Sequence, residues 1–127
     1  MGWQILAAVG AGGFFGAVSR FLLSGWMQRI TGASFPYGTL FVNVLGSFLI
    51  GFLVLYFEQS LAPQQKAFAI TGLLGALTTF STFSLETVIM LQEHLYLKVF
   101  SNLSLNILLC ISATILGMIV FRKLYGI

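Results

Sequence analysis

The chain has 127 residues, of which 58% are hydrophobic and only 7% charged, with a formal net charge of +3. That balance excludes a soluble globular domain, which would have to expose more apolar surface than water tolerates. The six basic and three acidic residues are scattered without a Lys/Arg block, so there is no patch to bind nucleic acid.

The first uncharged run covers Met1 to Ser19 and continues past Arg20 through Phe21 and Leu22. It has no basic region in front and is longer than the apolar core of an ordinary signal peptide, so it is read as a mature helix over about residues 3–25. Further uncharged runs follow: Leu40 to Phe57, Ala67 to Leu85 and Val99 to Phe121. They predict helices over about 38–57, 67–92 and 97–121. Roughly 20 residues span a bilayer core about 30 Å thick, and each run meets or nearly meets that length. The expectation is an all-α integral membrane protein of four transmembrane helices, a single domain over residues 1–127. Short connections remain around Gln28 to Tyr37, Glu58 to Lys66 and Gln92 to Lys98, too little for an extramembrane active site.

Every helix carries small or polar residues that would be wasted against lipid. Helix 1 has Gly10, Gly12, Gly13 and Gly16, helix 2 has Asn43, Gly46, Ser47 and Gly51, and helix 4 has Ser101, Asn102, Ser104, Asn106 and Ser112. Small residues let backbones approach, and buried Ser or Asn bond between helices. Four short helices cannot hide all these faces, but a second subunit can. The basic residues point the same way. Lys66, Arg122 and Lys123 fall on one side of the membrane, against Arg29, Lys98 and, if it is counted, Arg20 on the other. A near tie weakens the positive-inside signal, so the chain is expected either to insert both ways, allowing an antiparallel homodimer, or to take one orientation from its first helix.

Arg20 and Glu86 are the charges inside the spans, where each costs roughly +2.5 to +3.5 kcal/mol near a helix centre. Arg20 either faces a water-filled vestibule, concentrating anions, or snorkels to the interface. Glu86 either pairs with a cation, accepts hydrogen bonds or carries protons. The segment Thr71 to Glu86, TGLLGALTTFSTFSLE, is a poor continuous lipid-facing helix, because Gly and β-branched Thr weaken helix propensity. A break in helix 3 at Gly75 to Thr79 is expected, covered by protein or water, with freed carbonyls able to coordinate a cation.

If the chain is helical from Thr79 onward, Phe80, Phe83, Ser84 and Thr87 share one face. Phenyl rings have a positive edge. Phe80 and Phe83 could therefore offer a small anion partial positive charge, or simply pack, in a chain with 13 phenylalanines. Asn43 and Asn106 can each solvate an anion or bond another helix. Cys110, the single cysteine, reads as a small buried hydrophobe. There is no Cys/His metal cluster, no phosphate-binding loop and no nucleophilic serine with a histidine in the membrane, so no enzyme is expected.

Over nearly its full length the sequence resembles the Fluc family of fluoride channels, also called CrcB proteins. The anchors are Gly12, Gly13, Gly16, Ala17, Arg20 and Phe21, then Gly38, Thr39, Val42, Asn43, Gly46 and Gly51, then Thr71, Gly72, Gly75 and TTFSTFS with Glu86. The resemblance implies a multi-pass protein of the cell (inner or plasma) membrane. It would be an antiparallel dual-topology homodimer with two pores at the subunit interface, passively exporting cytoplasmic fluoride and so relieving its toxicity. It implies a fluoride pathway along Asn43, Phe80 and Phe83, with Ser81, Thr82 and Ser84 as pore or packing groups; the residues themselves add Asn106 to that pathway and Arg20 at a vestibule. It also implies a structural sodium ion on the backbone carbonyls of Gly75 and Thr78. Helix 4 departs from the family pattern, with Asn102, Asn106 and then Cys110 where serine is expected. The alternative is a proton-coupled exporter of the small multidrug-resistance type; those carry a glutamate in helix 1, where this chain has Arg20.

Overall fold

The computed structural model describes residues 2–60 and 62–126. In chain order it contains α1 (Trp3–Thr31), α2 (Tyr37–Glu58), α3 (Pro63–Lys66), a π-helical segment (Ala67–Leu74), α4 (Gly75–Leu77), α5 (Phe80–Gln92) and α6 (Tyr96–Tyr125). Four stretches are long and apolar enough to cross a membrane: Trp3–Thr31, Tyr37–Glu58, Pro63–Gln92 and Tyr96–Tyr125. The shortest has 22 residues. At 1.5 Å per residue that is about 33 Å, enough for the hydrocarbon core. The third stretch is composite, running from α3 through the π-helical segment and α4 into α5.

Local chemistry sets the ends. α1 continues past residue 25 to Thr31, where Gly32 takes a left-handed conformation (φ 58°) and donates its N–H to the Gln28 carbonyl at 3.1 Å. Only glycine adopts that cap without a Cβ penalty. Gln28 then clamps the first connection: its Nε2 donates to the carbonyls of Ala33 and Phe35, and its Oε1 accepts from the Gly38 N–H. Lys98 Nζ donates to Ser34 Oγ, tying the third connection to the first, and Gln64 Nε2 donates to Gln4 Oε1 at 3.1 Å, tying the second to the start of α1. The four spans therefore alternate up and down.

Between spans, the closest approaches come from missing side chains. A Cβ on Gly51 of α2 would collide with the Thr114 carbonyl of α6, and one on Gly117 of α6 with the Phe48 carbonyl of α2. Apolar helices gain little from burying apolar surface when the solvent is lipid, so such contact is what holds them. Thr114 adds a bond across this seam, its Oγ1 donating to the Ser47 carbonyl at 3.0 Å. α1 meets the π-helical segment in the same way, with Gly12 against the Phe68 carbonyl. The buried core joins α2 to the third span through Val42, Leu74 and Leu77. Much of the outer surface stays apolar and exposed, including Phe14, Phe21, Phe100 and Leu108, as lipid or a second copy requires.

Candidate functional site: a polar row beside an open groove

The site forms where the third span leaves helical geometry. Helical dihedrals persist through Gly75 (φ −60°, ψ −32°), whereas Thr78 (φ −83°, ψ 159°) and Thr79 (φ −149°, ψ 121°) are extended. Two β-branched residues in succession suit an extended backbone. Thr79 also caps the next helix, its Oγ1 accepting the Thr82 N–H at 3.1 Å. Gly46 of α2 lets the Thr78 methyl sit directly on the α2 backbone.

An extended residue at membrane depth needs partners for its N–H and C=O, since lipid offers none. Asn43 supplies both. Its Oδ1 accepts from the Thr79 N–H at 2.8 Å, and its Nδ2 donates to the Thr79 carbonyl at 3.2 Å. The second N–H of Asn43 goes to Asn106 Oδ1 at 3.3 Å. Asn106 Nδ2 donates to the Asn102 carbonyl at 2.8 Å and to Asn102 Oδ1 at 3.0 Å. Asn102 Nδ2 donates to Thr87 Oγ1 at 3.0 Å, and that hydroxyl donates to the Phe83 carbonyl at 2.7 Å. One continuous row thus runs from α2 across α6 and back to α5.

Beside this row opens a groove of about 450 Å³. Asn43, Asn106, Phe80, Phe83, Gly75 and Thr78 all line it, with Ile50, Ile107 and Cys110 among its apolar wall. Phe80 is 77% exposed and Phe83 is buried, their ring centroids 5.4 Å apart and tilted by 53°. The groove thus gathers six of the residues singled out from the sequence. Ser81, Thr82, Ser84 and Arg20 lie outside its lining. Ser81 is exposed, within 3.3 Å of the Thr79 hydroxyl, while Thr82 and Ser84 are half-buried on α5.

Arg20 is half-buried, and its Nε donates to the Ala76 carbonyl at 2.9 Å. A cation there meets a carbonyl at the end of a helix, the favourable end of the backbone dipole. Glu86 is half-buried on α5 with the Thr39 side chain beside it, and among the described residues its buried Oε1 has no hydrogen-bond partner. Three residues of the row, Thr79, Thr87 and Asn102, carry more than sequence reasoning assigned them. The signal was present in the spacing: Phe83 with Thr87 and Asn102 with Asn106 are each four apart, on one helical face.

Residues 7–118 match the family described as CrcB-like protein, Camphor Resistance (CrcB). The chain belongs to the CrcB family. Among its relatives, the protein named fluoride-specific ion channel FluC from a Sulfurovum species is 65% identical over 122 residues, 96% of this chain and 97% of the relative. The protein of the same name from a Nitratiruptor species is 60% identical over 126 residues, 99% of this chain and 98% of the relative. That from Shewanella loihica is 49% identical over 121 residues, 94% of this chain and 98% of the relative. These are names of a channel and not of an enzyme. The CrcB match covers α2 to α5 and most of α1 and α6, and so the whole polar row.

Proposed function

We propose that this protein is a fluoride-selective channel through which cytoplasmic fluoride leaves the cell passively, limiting its toxicity. The observation that carries the reading is the open groove uniting Phe80, Phe83 and Asn43, in a chain 65% identical to a protein named as a fluoride-specific channel. Fluoride sheds its water on entering this groove and is resolvated by the positive edges of Phe80 and Phe83 and by the Asn43 amide, with Ser81, Thr82 and Ser84 of α5 as further hydroxyls. Several weak sites in series allow fast exit. The driving force is the membrane potential, worth about 2.3 kcal/mol per charge per 100 mV. Arg20 commits one of its five N–H groups to Ala76, leaving its terminal amines to draw anions into a vestibule.

In this reading the working unit is an antiparallel, dual-topology homodimer in the cell (inner or plasma) membrane, with two pores along the interface and the third-span break at its centre. The exposure of Phe80 on an open groove favours it, since a second copy converts a groove into a pore. The near balance of Lys and Arg between the two sides favours both insertions.

A structural sodium ion on Gly75 and Thr78 fits the backbone chemistry. In a continuous helix the Gly75 carbonyl would accept from the Thr79 N–H and the Thr78 carbonyl from the Thr82 N–H. Those donors are diverted to Asn43 Oδ1 and Thr79 Oγ1. Two such carbonyls from each of two copies make an oxygen set suited to a hard cation. The exporter alternative needs a carboxylate in the first span, whereas the intramembrane carboxylate here, Glu86, lies on α5.

Purified protein in fluoride-loaded liposomes tests the reading. Rapid electrogenic fluoride efflux is expected once a potassium ionophore relieves the counter-charge. Efflux no faster than from protein-free vesicles would remove the channel reading.

A further inference from the structure

The polar row does not present a line of free donors to an entering anion. Asn43 gives one N–H to the Thr79 carbonyl and the other to Asn106 Oδ1. Asn106 in turn gives its amide nitrogen to Asn102, which lies outside the groove's lining. These orientations are set from both ends. The Thr79 N–H can only donate, so the Asn43 atom it meets is the oxygen. The Asn102 main-chain carbonyl can only accept, so the Asn106 atom it meets is the nitrogen. Turning either amide over would set donor against donor or acceptor against acceptor. Asn106 therefore shows Asn43 an acceptor, the opposite of what an anion needs.

We propose that Asn106 is a specificity-determining residue: its carbonyl oxygen occupies the Asn43 donor that a permeating anion must win, so only a strong hydrogen-bond acceptor displaces it. This rests on the channel reading above and deepens it. Fluoride, small and a strong acceptor, takes the donor; chloride, larger and a weaker acceptor, leaves it with Asn106. The Asn43–Asn106 bond, at 3.3 Å, is the longest in the row, and both residues line the groove, so the exchange occurs in the pathway itself. Asn102 acts through Asn106 as a positioning residue, holding its nitrogen away.

The test measures fluoride and chloride efflux side by side from liposomes carrying the full-length protein. Asn106→Leu frees the Asn43 donor. Half-saturating fluoride should fall roughly two- to ten-fold, the worth of one net hydrogen bond, and the chloride-to-fluoride flux ratio should rise by a similar factor. Asn106→Ser, whose hydroxyl is too short to hold Asn43, gives the same readout if the leucine variant does not assemble. Asn102→Ala should move the flux ratio the same way by less; a lower thermal midpoint with an unchanged ratio would make Asn102 purely structural and overturn its positioning role. A higher half-saturating concentration in the leucine and serine variants, with chloride still excluded, would mean that Asn106 donates to the ion and would overturn the inference while the channel stands. Absence of fluoride flux in the unmodified protein would instead overturn the channel reading and the inference with it.

Discussion

α2 meets its neighbours in two opposite ways. At Gly51 it touches α6 because a side chain is missing, and the seam is completed by Gly117 on the other helix. About two turns toward its start, it reaches the third span through a side chain, Asn43, that replaces the lost helical partners of Thr79. Lipid explains both. Apolar surface gains little by leaving lipid, so helices are held either by backbone contact or by polar bonds that lipid cannot offer. A glycine seam tolerates no addition, and the extended backbone at Thr79 tolerates no loss of Asn43.

Deleting from the row should cost most. Asn43→Leu leaves an N–H and a C=O of Thr79 without their partners, at about 1–3 kcal/mol each. We expect a large drop in the thermal midpoint in detergent and fluoride efflux at background; retention of the wild-type midpoint would show that Thr79 finds other partners. Adding to the seam comes next. Gly117→Leu drives a side chain into the Phe48 carbonyl and the Phe52 amide, a clash of roughly 1–3 kcal/mol or more, visible as aggregation on size-exclusion chromatography, with Gly117→Ala milder.

Two smaller changes sharpen the contrast. Thr79→Val keeps the β-branched shape but removes the cap on Thr82, for about 0.5–2 kcal/mol, and should fray the start of α5 in hydrogen exchange. Thr114→Val removes the one hydroxyl bond from α6 to Ser47 while leaving both glycines in place. Its expected cost is about 0.6 kcal/mol, the usual worth of an interhelical hydrogen bond in lipid. A loss several times larger would mean that the seam depends on polar bonding after all. Smallest in stability is Phe80→Ile, because Phe80 is 77% exposed. That variant should fold as the wild type does yet lose most fluoride flux, since the ring edge is gone; undiminished flux would assign Phe80 to packing.

Much of this was legible in the primary structure. Four apolar runs announce four spans, because the bilayer sets both length and composition. The segment TGLLGALTTFSTFSLE stands out in the sequence because its Gly and Thr residues have little reason to sit in a continuous lipid-facing helix. Propensity located the non-helical residues only loosely, because Gly75 keeps helical dihedrals and only the two threonines are extended. The sequence leaves Arg20 open between a vestibule and the interface, because the carbonyl it binds, Ala76, is 56 residues away in the chain.

The polar row itself is a tertiary fact. The sequence shows three asparagines with donors and acceptors in equal supply, and an amide can be turned either way. Only when α2 is brought against the third span and α6 does the Thr79 N–H fix which Asn43 atom faces it, and so which one meets Asn106. Composition and spacing thus determined that this chain lives in a membrane and spans it four times, while the family resemblance implied that Phe80, Phe83 and Asn43 share one pathway. Asn106 is oriented within α6 by the Asn102 carbonyl four residues earlier, but which end of Asn43 faces the row was decided by the Thr79 N–H, 36 residues away on the third span, a relation that no local pattern encodes.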